Sequence, residues 1–98
     1  MVLIWMPNAE EDYLDTLAYW YKHNGSFSYS DKIDKEVKQL EKEPSENPYS
    51  LAKYYEKENL YTRTILKGRF FIYYEVLEQE EVVHILHFRS SKQKPMVY

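Results

Sequence analysis

The chain has 98 residues, enough for one domain with a single modest core and too few for separate cofactor and substrate lobes. It contains no cysteine, which excludes disulfides, zinc–thiolate sites and cysteine nucleophiles. The net charge of −3 is unevenly spread: residues 1–50 carry five lysines against ten acidic residues, and residues 51–98 carry eight basic residues against six acidic ones. An anion-binding surface is therefore expected in the second half of the chain.

The apolar start of the chain is too short for a signal sequence, and acidic residues follow it at once. No stretch approaches the length of a membrane span. We therefore expect a cytoplasmic protein that does not associate with membranes.

A strand and a helix are predicted at the start of the chain. Residues 2–6 form a short apolar run that Pro7 stops, which is typical of a strand. Asn8 is predicted to cap the following helix, because Glu11 three residues later completes a capping-box pattern. Asn24-Gly25 supplies the helix stop. The predicted apolar stripe of this helix consists of Leu14, Leu17, Ala18 and Tyr21.

A second helix is predicted from Ser28, which can cap it. Its apolar stripe consists of Tyr29, Ile33, Val37 and Leu40. Because only a short glycine-containing turn separates the two helices, we expect an antiparallel helical hairpin. Residues 43–59 follow as a long connection.

From Leu60 the apolar periodicity changes to two, which predicts strands over Leu60–Leu66, Arg69–Leu77 and Glu81–Arg89. Lys67-Gly68 is predicted to be the tight turn between the first two of these strands. The element order is thus β-α-α-β-β-β in one domain, residues 1–98. It predicts an α+β fold in which the helical hairpin packs on a small curled antiparallel sheet.

Alternation assigns the strand residues to two faces of the sheet. The residues expected to face the helices are Phe70, Ile72, Tyr74, Val76, Val83 and Ile85. Arg69, Phe71 and Tyr73 are then expected on the open face, and a two-residue turn places Arg63 inward. A turn one residue longer would flip one strand. His84 and His87 differ in parity, so we expect no shared metal ion.

The segment Tyr61–Val76 resembles the signature hairpin of the RelE/ParE superfamily: a basic residue, a glycine, an aromatic residue and an alternating run ending in Tyr-x-Val. The last strand is similar to the family's closing strand with its His-x-Arg ending, here His87 and Arg89. Pro95 and the dipeptide Asn47-Pro48 also fit the family pattern.

This resemblance implies a bacterial type II toxin that arrests growth and is neutralised by a cognate antitoxin protein lying over the sheet or the helices. Ribosome-dependent members of the superfamily cut messenger RNA by attack of a ribose 2′-OH on the adjacent phosphate. That reaction needs a base, an acid and positive charge, and neither a metal nor a small-molecule cofactor. If the chain is such a nuclease, the residues implied as catalytic are Arg89, His87, Arg69 and Tyr73. Those implied in binding RNA or another target are Arg63, Lys67, Phe71, Lys92 and Tyr98.

Each of these assignments has a simpler structural interpretation. Arg89 also fits a surface arginine at a strand end, and His87 a hydrogen-bonded histidine at the core edge. An open face bearing Arg69, Phe71 and Tyr73 would equally suit an antitoxin peptide.

Three functions remain open at this point. The first is a ParE-like toxin that acts on DNA gyrase by protein contact and catalyses nothing. The second is a ribosome-dependent endoribonuclease, whose relatives resemble one another in being strongly basic. The third is a member that only binds its antitoxin. Because this chain is mildly acidic, whereas binding to ribosomal RNA favours basic proteins, the gyrase-directed or unresolved toxin is preferred and the nuclease is the alternative.

Overall fold

The core lies between two helices and one five-stranded sheet in the computed structural model, which describes residues 1–25, 27–46, 48–49 and 52–92. Asn47, Pro95 and Tyr98, which carry sequence assignments, lie outside the described residues. The predicted α+β class is confirmed. In chain order the elements are β1 (Val2–Trp5), α1 (Pro7–Asn24), α2 (Ser28–Glu46), β2 (Lys53–Tyr55), β3 (Leu60–Ile65), β4 (Phe70–Leu77), a 3-10 turn (Glu78–Glu80) and β5 (Val82–Ser90).

The strand order is β1-β5-β4-β3-β2, and two features of it differ from the prediction. First, β1 runs parallel to β5, with Val2 opposite Val82, so the sheet is mixed and not wholly antiparallel. Second, the predicted connection contains the short strand β2, which pairs antiparallel with β3. Alternation reveals that a segment is a strand, but it does not encode the direction of pairing with a strand far away in the chain.

Helix α1 begins one residue earlier than its predicted cap. Pro7 occupies the first helical turn and Met6 is the N-cap without a side-chain hydrogen bond, so the capping role predicted for Asn8 is wrong. Proline suits this position because its missing N–H would have no partner inside the helix. The predicted stop is confirmed: Gly25 has φ +66° and its N–H bonds to the Tyr21 carbonyl at 2.9 Å.

The side chains that were predicted to face the core from α2, β4 and β5 do face it. The fully or almost fully buried side chains include Ile33, Val37, Phe70, Ile72, Tyr74, Val83 and Ile85. The stripe predicted on α1 is only partly right. Ala9 and Tyr13 enter the core, whereas Leu14 is 53% exposed and Tyr21 is 43% exposed. The apolar arc of α1 is wide, so one edge of it extends beyond the contact with the sheet.

Hydrogen bonds that involve side chains also join the parts of the fold. Between the helices, Tyr13 donates to Asp34 Oδ1 and Ser30 Oγ donates to the Leu17 carbonyl at 2.7 Å. Between the helical layer and the sheet, the Leu66 N–H donates to Glu36 Oε1 at 3.0 Å. The Tyr74 hydroxyl donates to the Pro48 carbonyl at 2.6 Å. Neither α1 nor α2 has the apolar length that crossing a bilayer requires.

Candidate functional site

The sheet has one face away from the helices, here called the open face, and the strand register determines which residues share it. One row runs across four strands: Lys53 on β2 lies opposite Thr62, Thr62 opposite Tyr73, and Tyr73 opposite His87. In an adjacent row on the same face, Phe71 pairs with Arg89. The face therefore combines aromatic rings, an imidazole and a guanidinium near the end of β5.

A β-bulge at Leu86 controls which side chains of β5 reach this face. Tyr73 pairs with His87 and Tyr74 pairs with Ile85, so Leu86 has no partner on β4. A bulge inserts one residue and shifts the alternation beyond it. His84, opposite Glu75, consequently lies on the same face as His87, and the predicted difference in parity between the two histidines is wrong.

The bulge does not create a group of metal ligands. His84 Nδ1 lies 3.0 Å from Glu75 Oε1, so the imidazole is in hydrogen-bond contact with a carboxylate of the neighbouring strand β4. Within the described residues, no three histidine or acidic side chains are close enough together to hold an ion.

Tyr73 and His87 are neighbours, and their surroundings shift the pKa of each side chain. Their rings are nearly perpendicular, with centroids 5.9 Å apart. Burial lowers the pKa of His87 below its usual range, the Arg89 charge lowers it further, and Asp12 partly opposes both. Burial raises the pKa of Tyr73, with a contribution from Tyr55. At neutral pH, His87 is therefore mainly an unprotonated base, and Tyr73 is a hydroxyl donor.

Thr62 lies beside Tyr73 in the same row and is only 6% exposed. Its hydroxyl oxygen is buried and makes no hydrogen bond to any residue that the structure describes. Buried polar groups normally have a partner, but this oxygen has no exposed surface, so Thr62 is not assigned as a binding group.

Arg69 does not share the open face, contrary to the prediction. It belongs to the turn between β3 and β4, and its Nη1 donates to the Tyr29 hydroxyl of α2 at 3.3 Å. The turn is tight because Lys67 and Gly68 have φ values of +55° and +84°, the left-handed geometry of hairpin turns that matches strand twist. Strand alternation does not hold at such a turn, and the guanidinium lies on the helical side.

Arg63 is inward, as a two-residue turn predicts. The turn is closed by a hydrogen bond from the Arg69 N–H to the Leu66 carbonyl at 3.2 Å, and Arg63 pairs with Ile72 of the inner face. Arg63 is 9% exposed. Its side chain is therefore remote from any target that docks on the open face.

The remaining assigned residues are scattered. Lys67 is exposed at the tip of the hairpin turn, and Lys92 is exposed after β5, beside Asp12 and Asp15 of α1. Phe71 is half-buried on the open face next to Arg89. The structure therefore brings together Arg89, His87, Tyr73 and Phe71 and separates them from the other cations.

Sequence reasoning missed the contribution of β2 to the open face. Lys53 lies at the end of the row that contains Tyr73, and its Nζ is 5.2 Å from the centre of the Tyr55 ring. Such a distance is typical of a cation–π contact. The only signal was the pair of aromatic residues in Lys53-Tyr54-Tyr55, a run that is too short to predict a strand.

Comparison with known families connects this arrangement to a class of proteins. A family model described as ParE toxin of type II toxin-antitoxin system, parDE, matches residues 3–95. No curated protein matches the chain significantly. The match includes both helices and, except for Val2 at the start of β1, all five strands.

Proposed function

We propose that this chain, which belongs to the ParE toxin family of type II toxin–antitoxin systems, arrests growth by binding DNA gyrase through the open face. Membership confirms the predicted relationship to the RelE/ParE superfamily and the class of toxin, and it implies a cognate antitoxin partner. The gyrase target and the surface that contacts it are the proposal.

The observation that carries the proposal is the small number of cations on the open face. In the described strands, the register places Arg89 and Lys53 there, while Arg69 lies on the helical side and Arg63 is buried beneath it. Cleavage of RNA needs several positive groups around one phosphate. Phe71 and Arg89 are instead partly exposed beside the buried ring of Tyr73, and an aromatic residue next to an arginine is typical of the centre of a protein–protein interface.

The ribosome-dependent nuclease remains a second candidate because of one specific arrangement. His87 is a base at neutral pH, Tyr73 is a hydroxyl donor, and Arg89 supplies charge in the next row. These are the three roles that attack by a 2′-OH requires. The other cation that the register of the described strands places on this face, Lys53, stands on β2, two strands away from Tyr73, which is why the nuclease ranks below gyrase binding.

A paired assay separates the candidates. The purified toxin is added to a gyrase supercoiling reaction and, in parallel, to a cell-free translation reaction whose messenger RNA is mapped by primer extension. We expect inhibition of supercoiling with intact messenger RNA. Arg89→Ala should weaken that inhibition by about tenfold or more, the loss expected from removing an interface arginine.

The matched control is Lys35→Ala, which removes an exposed cation from α2 on the opposite side of the molecule. It should inhibit gyrase like the unmodified toxin. Ribosome-dependent cleavage of the message would replace the proposal with the nuclease. Inactivity in both reactions would leave a protein that only binds its antitoxin.

The toxin has a second exposed surface, away from the open face, on which the antitoxin could bind. We call it the hairpin stripe, and it consists of Leu14, Ala18, Tyr21 and Phe27. Phe27 is 60% exposed and its ring stacks on that of Tyr21, with centroids 4.0 Å apart. Contiguous exposed apolar side chains mark interaction sites, and an amphipathic helix is the element that fits such a groove. We propose that the antitoxin covers the hairpin stripe.

A further inference from the structure

A surface pocket of about 400 Å³ lies where α2 meets the turn between β3 and β4, and we call it the turn pocket. It is lined by Tyr29, Lys32, Glu36, Leu66, Lys67 and Arg69. None of these six residues lies on the open face of the sheet, so the turn pocket is separate from the proposed gyrase surface.

The turn pocket concentrates positive charge. Lys32, Lys67 and Arg69 supply three cations from two different elements, against the single carboxylate of Glu36. One oxygen of that carboxylate already accepts the Leu66 N–H at 3.0 Å. Among the described residues, no carboxylate lies within ion-pair distance of Lys32 or Lys67.

The pocket also has hydrogen-bond donors with a defined direction. The Tyr29 hydroxyl accepts from Arg69 Nη1 at 3.3 Å, which positions the guanidinium at the wall of the pocket. A guanidinium held in this way keeps its remaining N–H groups for a planar acceptor such as a carboxylate. Positive charge and aligned donors together indicate an anionic ligand.

We propose that the turn pocket binds an aspartate or glutamate side chain of the antitoxin. This inference rests on the proposed function, because it names the chemistry of the antitoxin contact. The first turn of α2 joins the two surfaces: Phe27 and Asp31 border the groove of the hairpin stripe, while Tyr29 and Lys32 line the turn pocket. One antitoxin segment can therefore cover the stripe and place a carboxylate in the pocket.

A nucleic acid is the less suitable occupant. Its phosphates form a continuous line of charge, and binding requires several cations along that line. The turn pocket is small, and Asp31 and Asp34 lie on the neighbouring side of α2, in a half of the chain that carries ten acidic residues against five lysines. A single carboxylate avoids most of this repulsion.

The test measures binding of the antitoxin encoded beside the toxin to three purified toxin variants by titration calorimetry. Lys67→Gln/Arg69→Gln removes two pocket cations, and Lys32→Gln removes the third from a different element. Lys35→Gln is the control, since it removes an exposed charge from the same helix outside the pocket. We expect Kd to rise about 30-fold for the double variant and about fivefold for Lys32→Gln, with the control within about twofold.

Two further measurements test whether the loss of affinity comes from the charges of the pocket: its dependence on salt concentration, and a variant that keeps one of the charges. The loss in affinity should shrink at high salt, because ionic contacts at a partly exposed site are screened. Lys67→Gln/Arg69→Lys keeps a charge at position 69 but not the planar pair of donors, so it should recover only part of the affinity that the double glutamine variant loses. Circular dichroism of each variant checks folding, and Lys32→Gln tests the pocket without altering the turn.

Three outcomes would overturn the inference. The first is an unchanged Kd for both the double variant and Lys32→Gln. The second is a normal antitoxin affinity together with reduced binding of a short DNA duplex or RNA strand, which would make the pocket a phosphate site. The third is an unmodified toxin that binds no antitoxin, which would overturn the proposed neutralisation as well and so is distinguishable from the first two.

Discussion

The hydroxyl of Tyr74 donates a hydrogen bond of 2.6 Å to the backbone carbonyl of Pro48, which fastens the segment after α2 to the middle of the sheet. Tyr74 is 1% exposed, and burial raises its pKa to about 12. The hydroxyl therefore remains a donor throughout the neutral range. The bond gives the carbonyl of the buried residue Pro48 a partner.

Tyr74→Phe should destabilise the protein by about 1–2 kcal/mol, because it removes this bond and leaves a buried carbonyl without its donor. Urea unfolding followed by circular dichroism measures the change. Tyr54→Phe is the control: it removes an exposed hydroxyl bonded to Asn59 Oδ1 at 2.8 Å, and it should cost less than about 0.5 kcal/mol. Equal effects of the two substitutions would show that the Pro48 contact has no special weight.

Deletion of Leu86 should leave the chain folded, at a cost of about 1–2 kcal/mol. Without the extra residue Ile85 and Phe88 stand two positions apart, so regular alternation keeps both in the core and His87 on the open face. Deletion of His84 is the contrast: it makes Val83 and Ile85 adjacent, so one of these two must leave the core, and it should cost at least about 4 kcal/mol. Thermal unfolding of both deletion variants measures the difference, and equal losses would contradict the role given to the bulge.

His87 should make stability fall as the solution becomes acidic. Its pKa is lowered in the folded protein, first by burial and then by Arg89, so the unfolded chain binds the proton more readily. Its contribution is complete above the ordinary histidine pKa of about 6.5 and is lost as the pH falls through the lower folded value. Urea midpoints at about pH 7.5 and about pH 5 should therefore differ less for His87→Gln than for the unmodified protein. An identical difference in the two proteins would show that His87 titrates normally.

Leu14→Glu should weaken antitoxin binding by about tenfold or more, because it places a charge in the middle of the proposed apolar contact. The unfolding free energy should change little, since Leu14 is 53% exposed. Tyr19→Glu serves as the control: Tyr19 is 57% exposed on another side of the same helix, where its ring stacks on His23. Surface plasmon resonance compares the two, and equal losses would argue against the hairpin stripe as the antitoxin site.

The inner face of the sheet could be predicted from the sequence because strict alternation operates within each strand. Ile72 and Tyr74 of β4 are buried as expected, and so are Val83 and Ile85 of β5. Alternation fails where an extra residue interrupts it. The spacing from Ile85 to Phe88 contained the signal of the bulge, since both side chains face the helices although their positions are three apart, an odd number.

The candidate site was harder to predict because it depends on local geometry at element ends. Arg69 was assigned by parity, but it stands in a turn whose left-handed residues redirect it toward Tyr29. Leu14 was assigned to the core by helical spacing, although the apolar arc of α1 is wider than its contact with the sheet. Periodicity identifies a face, and tertiary packing decides how much of that face is covered.

The parallel pairing of β1 with β5 has a consequence for synthesis of the toxin in the cell. Val2 lies opposite Val82, so β1 pairs with a strand that is synthesised after every other strand that the structure describes. Contacts between such distant segments form late. His87 and Arg89 lie on β5, so the proposed target surface is assembled only after that strand has left the ribosome. Until then, the growing chain is expected to lack the surface through which we propose that it acts.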